Sequence, residues 1–155
     1  MSSHNIGLRP ARRALVVFED RNDARLLRLL QPGFRHCFCL TGEGLRWTLC
    51  DPLKSRLAVA NADGVSAAVL ARHLAGVGRT ILYGVVGEPA PGGPLGLRPL
   101  TCVEIVKRLL GVSASGVLTP HQLYRSLLMP EPGRPAFVPL ADRTRNCLIF
   151  PTLGL

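Results

Sequence analysis

The chain has few aromatic residues and almost no lysine. Aromatic residues make up 5% of its 155 residues, and only Lys54 and Lys107 among its 19 basic residues are lysines. The arginines are dispersed and are not interleaved with aromatic side chains, so the sequence lacks the pattern of a surface that stacks nucleic-acid bases. The formal net charge of +9 therefore does not by itself assign a nucleic-acid partner.

Long hydrophobic runs are missing as well. No apolar run approaches the roughly 18 residues needed to cross a bilayer, and residues 1–13 are basic without the apolar stretch of a secretory signal. We therefore expect a cytoplasmic protein with no membrane span. Five cysteines in such a compartment are better interpreted as reduced thiols than as a disulfide framework.

The length fits one domain, which we place at residues 14–128. A basic tail at 1–13 precedes it, and a Pro-rich segment at 129–155, which we expect to pack on the same domain, follows it. Apolar patterning and turn residues predict the elements. The predicted strands are 14–18, 35–40, 45–51, 56–60 and 80–86, with short ones at 137–138 and 148–150, and the predicted helices are 24–30, 64–75 (capped by Asp63), 102–110 and 120–128.

Cys102 is the residue whose sequence context most directly indicates a reactive side chain. It follows Thr101, which with Glu104 matches the capping box at the start of a helix. The thiol then occupies the first helical position, beside unpaired main-chain N–H groups and the positive end of the helix dipole. That environment lowers the pKa of a cysteine and favours the nucleophilic thiolate.

A candidate base lies upstream, in a predicted β-hairpin. Two β-prone runs, residues 35–40 and 45–51, flank a Gly-rich turn, and a turn centred on Glu43 and Gly44 sets their register. The facing pairs are then Leu40 with Trp47, Phe38 with Leu49, and His36 with Asp51. The face they share is apolar and ends in a histidine beside a carboxylate, an arrangement that fixes an imidazole tautomer.

These residues predict a mechanism if the helix of Cys102 packs on that hairpin face. His36 would take the thiol proton, Asp51 would orient His36, and Cys102 would attack a carbonyl carbon. The main-chain N–H of Cys102 would be one oxyanion donor, and the second donor stays open. Water would resolve the acyl-thioester in a hydrolase, and an amine or alcohol would do so in a transferase.

Three segments together, Gly-Phe-Arg-His-Cys-Phe at 33–38, Trp-Thr-Leu-Cys-Asp-Pro at 47–52 and Thr-Cys-Val-Glu at 101–104, resemble the circularly permuted branch of the NlpC-type, papain-like cysteine hydrolases and acyltransferases. In that branch the histidine strand precedes the cysteine helix. The resemblance implies an α+β fold with a small antiparallel sheet packed against the nucleophile helix. It also implies a thiol peptidase, amidase or acyl-transfer enzyme that acts on a peptide, amide or acyl substrate without a cofactor.

The same resemblance implies a triad of cysteine, histidine and a polar residue. On this sequence it maps to Cys102, His36 and Asp51. The third residue of the family varies in type, so Thr48 is the alternative to Asp51.

Other interpretations of the same residues remain open. Cys102 can be a small buried side chain and His36 a core histidine. Cys37 and Cys39, which point away from His36 along a strand, are interpreted as core residues. A zinc site built from these two cysteines, Cys50 and a histidine is a further alternative. The alternative function is a basic, non-catalytic module that binds nucleic acid or an acidic partner.

Overall fold

The computed structural model describes residues 11–21, 25–88, 101–129, 132, 137–142 and 147–148. Three sequence predictions fall partly outside them: the basic tail up to residue 10, the Pro-rich segment at its undescribed positions, and the strand predicted at 148–150 beyond Leu148. Within the described part of the chain, no helix is both long enough and apolar enough to cross a membrane.

The fold is α+β, and the described residues form one antiparallel sheet and three α-helices. The strands are β1 (Arg13–Glu19), β2 (His36–Glu43), β3 (Arg46–Pro52), β4 (Leu57–Asp63), β5 (Thr80–Val85), β6 (Phe137–Asp142) and the two-residue β7 (Cys147–Leu148), and the helices are α1 (Ala67–Gly76), α2 (Cys102–Leu110) and α3 (Pro120–Leu128). A short 3-10 helix spans Arg25–Leu29. The sheet order is β4-β3-β2-β1-β5-β6-β7, so the apolar strands β1 and β5 are interior.

Local capping chemistry starts each helix. Thr119 and Gln122 form a complete capping box at α3, and the Thr101 hydroxyl accepts the N–H of Glu104 at 3.3 Å at the start of α2. The predicted N-cap of α1 was wrong: Ser66, and not Asp63, caps this helix. Asp63 is instead the last residue of β4, where its backbone is held in the sheet.

The second half of the capping box predicted for α2 is also corrected. The Glu104 carboxylate contacts Lys107 Nζ at 2.9 Å and Arg108 Nε at 3.2 Å. Lys107 is buried and also donates to the carbonyl oxygens of Ala114 and Val117. Glu104 therefore neutralises a buried ammonium group, which a buried charge requires, and the Thr101 hydroxyl remains the side-chain cap of α2.

The helices cover opposite faces of the sheet. Helices α2 and α3 pack on the face that carries Val16, Phe18, Cys37, Cys39 and Leu82. Helix α1 packs on the other face; the buried strand residues there include Leu15, Val17, Phe38, Leu40 and Trp47. The prediction that α2 packs on the face of Phe38 and Leu40 was therefore wrong. Side chains alternate along a strand, so α2 meets the two cysteines of β2.

The register of the β2–β3 hairpin differs from the prediction by two residues. Leu40 lies opposite Leu49 and Gly42 opposite Trp47, because the two-residue turn consists of Gly44 and Leu45. Gly44 has φ +57°, the left-handed conformation that tight hairpin turns require. A shift of two residues keeps every side chain on its predicted face. His36 and Asp51 are therefore neighbours as predicted, but they contact each other diagonally and do not face each other directly.

Candidate active site

His36 and Asp51 form the closest polar contact of the site. His36 is the first residue of β2, and Asp51 lies one position beyond Cys50, the last residue of β3 that pairs with β2. The distance from His36 Nε2 to Asp51 Oδ1 is 2.6 Å. The histidine is 6% exposed, so this charge-assisted hydrogen bond is shielded from water and fixes the orientation of the ring.

Cys102 approaches the same histidine from α2. It hydrogen-bonds with His36, and because Nε2 is engaged with Asp51, Nδ1 is the ring nitrogen available to the sulfur. The contact forms because the first residue of β2 and the first residue of α2 meet at one end of the sheet. Cys102 is only partly buried.

The surroundings of Cys102 favour its thiolate. Hydrogen bonds from Cys37 and His36, together with the positive charge of His36, lower the pKa of Cys102 to about 4 even though burial acts in the opposite direction. The largest of these effects is the hydrogen bond from the Cys37 side chain, and the main-chain N–H of Cys37 adds to it. Donors that point at a sulfur stabilise its charged form.

The imidazole is correspondingly stabilised as a cation. Burial alone lowers the pKa of His36, but hydrogen bonds with Cys102 and Asp51 and the negative charges of both outweigh it, so the pKa is raised overall. A thiolate and an imidazolium therefore coexist in a window that begins near the pKa of Cys102 and ends above the ordinary histidine range.

A charged cluster extends the site beyond Asp51. Arg21 Nη1 lies 3.4 Å from Asp51 Oδ2, and Arg21 Nε lies 3.2 Å from Glu19 Oε1. Glu19 is the register partner of His36 in the β1–β2 pair, and Arg79 Nε contacts its Oε2 at 2.8 Å. The Arg79 guanidinium also lies 5.5 Å from the centre of the Phe38 ring.

This cluster borders an open cavity of about 400 Å³. The residues that line it are Glu19, Asp20, Arg21, Val77, Gly78 and Arg79. Its walls are mostly polar, and Arg21 connects it to Asp51. Cys102, His36 and Asp51 do not line this cavity, so it neighbours the site through Arg21 and does not contain the sulfur.

The structure brings together Cys102, His36 and Asp51, the three residues that the sequence selected. The alternative third residue, Thr48, is elsewhere, since its hydroxyl contacts Asn61 Oδ1 at 3.2 Å. Sequence reasoning missed Arg21 and the role of Cys37. The position of Arg21 two residues after Glu19, the register partner of His36, is a signal that correct pairing of β1 with β2 would have supplied.

Cys37 is buried in the core as predicted, but it also contacts Cys102. Cys39 and Cys50 are register partners across β2 and β3. Burial is the main reason that the pKa of each is raised, in Cys39 to about 12. Among the described residues no group of three or more histidine, cysteine or acidic side chains could hold a metal ion, so the zinc alternative finds no support there.

No protein-family model, curated protein or solved structure matches this chain.

Proposed function

We propose that this protein is a cysteine hydrolase or acyltransferase whose nucleophile is Cys102. The observation that carries the proposal is one histidine, His36, that contacts both the sulfur of Cys102 and the carboxylate of Asp51. A nucleophile, a base and a group that orients the base form the arrangement used for acyl transfer. The partial exposure of Cys102 supports access for a substrate.

The first half of the reaction forms an acyl-enzyme. The Cys102 thiolate attacks the carbonyl carbon of an amide or ester, and the electron pair of the carbonyl moves onto oxygen. The main-chain N–H of Cys102, at the start of α2, is a candidate donor to that oxygen. When the tetrahedral species collapses, the bond to the leaving group breaks, and the imidazolium of His36 gives that group its proton.

The second half regenerates the thiolate. His36, now neutral, removes a proton from water, an amine or an alcohol, which attacks the thioester carbon. Collapse of this second tetrahedral species breaks the bond between carbon and sulfur. The acid, amide or ester leaves, and Cys102 and His36 return to the ion pair. Asp51 holds the imidazole and stabilises its cation throughout.

The proposed fold relationship is that of the circularly permuted papain-like enzymes. An antiparallel sheet and a helix that starts at the nucleophile support it, as does the order of His36 before Cys102 along the chain. The alternative, a basic binding module, is supported less than the composition suggests, because part of the positive charge is already neutralised within the protein. Four described arginines, Arg21, Arg35, Arg79 and Arg108, are already paired with carboxylates.

The proposal is tested by trapping an acyl group on the protein. Incubation with p-nitrophenyl acetate, followed by digestion and mass spectrometry, should give an acetyl adduct on Cys102, and release of p-nitrophenol should continue as the adduct hydrolyses. Cys102→Ala should abolish both signals. Cys39→Ala serves as the matched control, because Cys39 is a buried cysteine of the same strand as His36 that is not one of the three proposed site residues.

The role of His36 is tested in the same assay. His36→Ala should slow both the formation and the hydrolysis of the adduct, because the base and the acid of both half-reactions are removed. An adduct that forms and hydrolyses equally fast with and without His36, or that falls mainly on another cysteine, would contradict the proposed function.

A further inference from the structure

An interaction surface outside the candidate site lies at β4, the edge strand of the sheet. Within the part of the chain that the structure describes, β4 pairs with β3 and with no other strand. Leu57 is 50% exposed and Val59 is 58% exposed, and because side chains alternate along a strand, the two lie next to each other on one face. An uncovered edge that carries apolar side chains is a place where a further strand can add to the sheet.

The sequence of β4 lacks the features that usually prevent such an addition. Edge strands are protected by lysine, by proline, by bulges or by being very short. The seven residues of β4 contain no lysine, arginine or proline, and the strand pairs with β3 without a register shift. At the opposite edge of the described sheet, β7 has only two residues. The two edges are therefore built differently, and β4 is the one suited to pairing.

The main-chain groups of β4 that are free to pair can be assigned from two hydrogen bonds. The N–H of Gly64 donates to the carbonyl oxygen of Leu45, and the N–H of Leu53 donates to that of Arg56, each at 2.8 Å. Both bonds continue the β3–β4 register, one at each end of it. Hydrogen-bonded positions alternate along an antiparallel pair, so even-numbered residues of β4 bond to β3. The residues whose main-chain groups point away from β3 are Leu57, Val59, Asn61 and Asp63.

The charges at the two ends of β4 indicate which partner fits this edge. Arg56 directly precedes the strand and Asp63 is its last residue, and both are exposed. If a second copy of β4 pairs in the antiparallel direction, the arginine end of each strand lies beside the aspartate end of the other. Parallel pairing would bring like charges together. The strand is thus complementary in charge to an antiparallel copy of itself.

We propose that this protein forms a symmetric dimer, in which the β4 strands of two copies pair in the antiparallel direction and join the two sheets into one. The register that uses the whole strand places Ala60 on the two-fold axis, Leu57 opposite Asp63 and Val59 opposite Asn61. Outward-pointing residues then face outward-pointing residues, so their main-chain groups bond across the interface. The two Val59 side chains become diagonal neighbours. The inference does not depend on the proposed function of Cys102.

The first test is sedimentation equilibrium of the full chain over a range of concentrations. We expect a monomer–dimer equilibrium in the wild type. Val59→Lys should raise the dissociation constant by about tenfold or more, because two like charges then lie on one face of the interface. The matched control is Val69→Lys, at a valine of α1 that is 54% exposed, and it should leave the constant unchanged.

Two outcomes of this experiment would overturn the inference. One is equal weakening of the dimer by Val59→Lys and Val69→Lys. The other is a wild-type protein that stays monomeric at about 0.1 mM, which would mean that the edge serves another occupant, such as a strand of a different protein or a segment of this chain outside the described residues. The wild-type measurement needs no variant, so it decides the matter even if a variant fails to fold.

A charge exchange tests the direction of pairing. Arg56→Glu makes both ends of β4 acidic and Asp63→Arg makes both basic, so each change alone should weaken the dimer. The double variant restores one charge of each sign, and its dissociation constant should return towards that of the wild type. A double variant that dimerises no better than either single variant would refute antiparallel pairing.

A cross-link tests the register. The two copies of Ala60 face each other at a non-hydrogen-bonded position, where Cα atoms lie about 4.5 Å apart, a separation that a disulfide spans. Ala60→Cys treated with copper phenanthroline in air should therefore give a dimer linked through position 60, identified by mass spectrometry. Val77→Cys, at a valine that is 62% exposed, should not link. A dimer that links equally at position 77, or not at position 60, would overturn the proposed interface.

Discussion

Two cysteine pairs that each include a residue of β2 differ in the pKa of their sulfurs. Cys37 lies near the start of β2, where His36 and the start of α2 converge, and the surroundings of Cys102 there lower its pKa to about 4. Cys39 and Cys50 face each other across β2 and β3, and burial raises the pKa of both. The two pairs are separated by only two residues along β2.

The contrast between Cys39 and Cys102 indicates that hydrogen-bond donors, and not burial alone, set the pKa of these sulfurs. Burial raises the pKa in both pairs. In Cys39 only the charge of Arg12 opposes it, whereas in Cys102 the donors from Cys37 and His36 overcome it. A reactive cysteine is therefore identified by the groups that point at its sulfur.

Among the substitutions considered, His36→Ala should reduce the difference between the pKa of Cys102 and that of Cys39 most. Loss of the imidazole removes both a hydrogen bond and a positive charge from Cys102, so we expect its labelling midpoint to rise by about two pH units, and labelling near pH 4 to fall by an order of magnitude or more. Iodoacetamide labelling followed by mass spectrometry measures this. His73→Ala, at an exposed histidine of α1, is the control, and an equal effect there would refute the assignment.

The pH profile of acyl-enzyme formation in the wild type tests the same contrast without a substitution. Cys102 must lose its proton, so acyl-enzyme formation should rise through about pH 4. His36 must carry a proton to release the leaving group, and its pKa is raised, so formation should fall only above the ordinary histidine range. The rate of p-nitrophenol release in the first turnover checks both limbs. A single rise near pH 9 would show an ordinary thiol.

Asp51→Asn should have the next largest effect. The amide keeps the shape of the side chain but removes the negative charge that stabilises the His36 cation, so we expect acyl-enzyme turnover to fall about tenfold or more. The falling limb of the pH profile should also move to lower pH. Thr48→Val, on the same strand, should change neither. If Thr48→Val lowers turnover more than Asp51→Asn, the third residue is wrongly assigned.

Arg21→Met should have a smaller effect. Its contact with Asp51 is 3.4 Å long and its side chain is 31% exposed, so water screens the interaction and its removal should change stability by less than about 1 kcal/mol. Turnover should fall no more than about threefold, because His36 still holds the other carboxylate oxygen. Steady-state turnover and thermal unfolding measure the two effects. A loss as large as that of Asp51→Asn would make Arg21 an essential member of the cluster.

Native Cys39 should give the smallest signal. Burial raises its pKa to about 12 and its side chain is fully covered, so iodoacetamide should label it only after unfolding, at a pH where Cys102 reacts within minutes. Residue-resolved labelling with and without denaturant checks this. Rapid labelling of Cys39 in the folded protein would erase the contrast between the two pairs.

The local structure of the chain could be predicted where a few adjacent residues decide it. Thr119 with Pro120 and Gln122 specified the start of α3, and Thr101 specified the start of α2. The start of α1 was predicted three residues too early, because Asp63 and Ser66 are both good caps. Sheet pairing kept Asp63 in β4, and neighbouring residues alone do not contain that information.

The sequence predicted which residues come together at the candidate site, but not how the elements that carry them pack. Sequence spacing selected His36 and Asp51, and alternation along the strands kept them on one face even though the register was wrong by two residues. The helix that covers that face was assigned wrongly. Cys37 was interpreted as a core residue only, since a linear pattern shows what a side chain is and not what packs on it.

The sequence alone was enough to select Cys102, His36 and Asp51 as candidates and to locate the starts of the helices that carry Cys102 and Tyr124, because capping and strand alternation act over a few residues. The tertiary structure alone decided that α2 lies over Cys37 rather than over Phe38. It also placed Arg21 beside Asp51. Those contacts join residues far apart in the chain, and their geometry follows from the packing of whole elements against each face of the sheet.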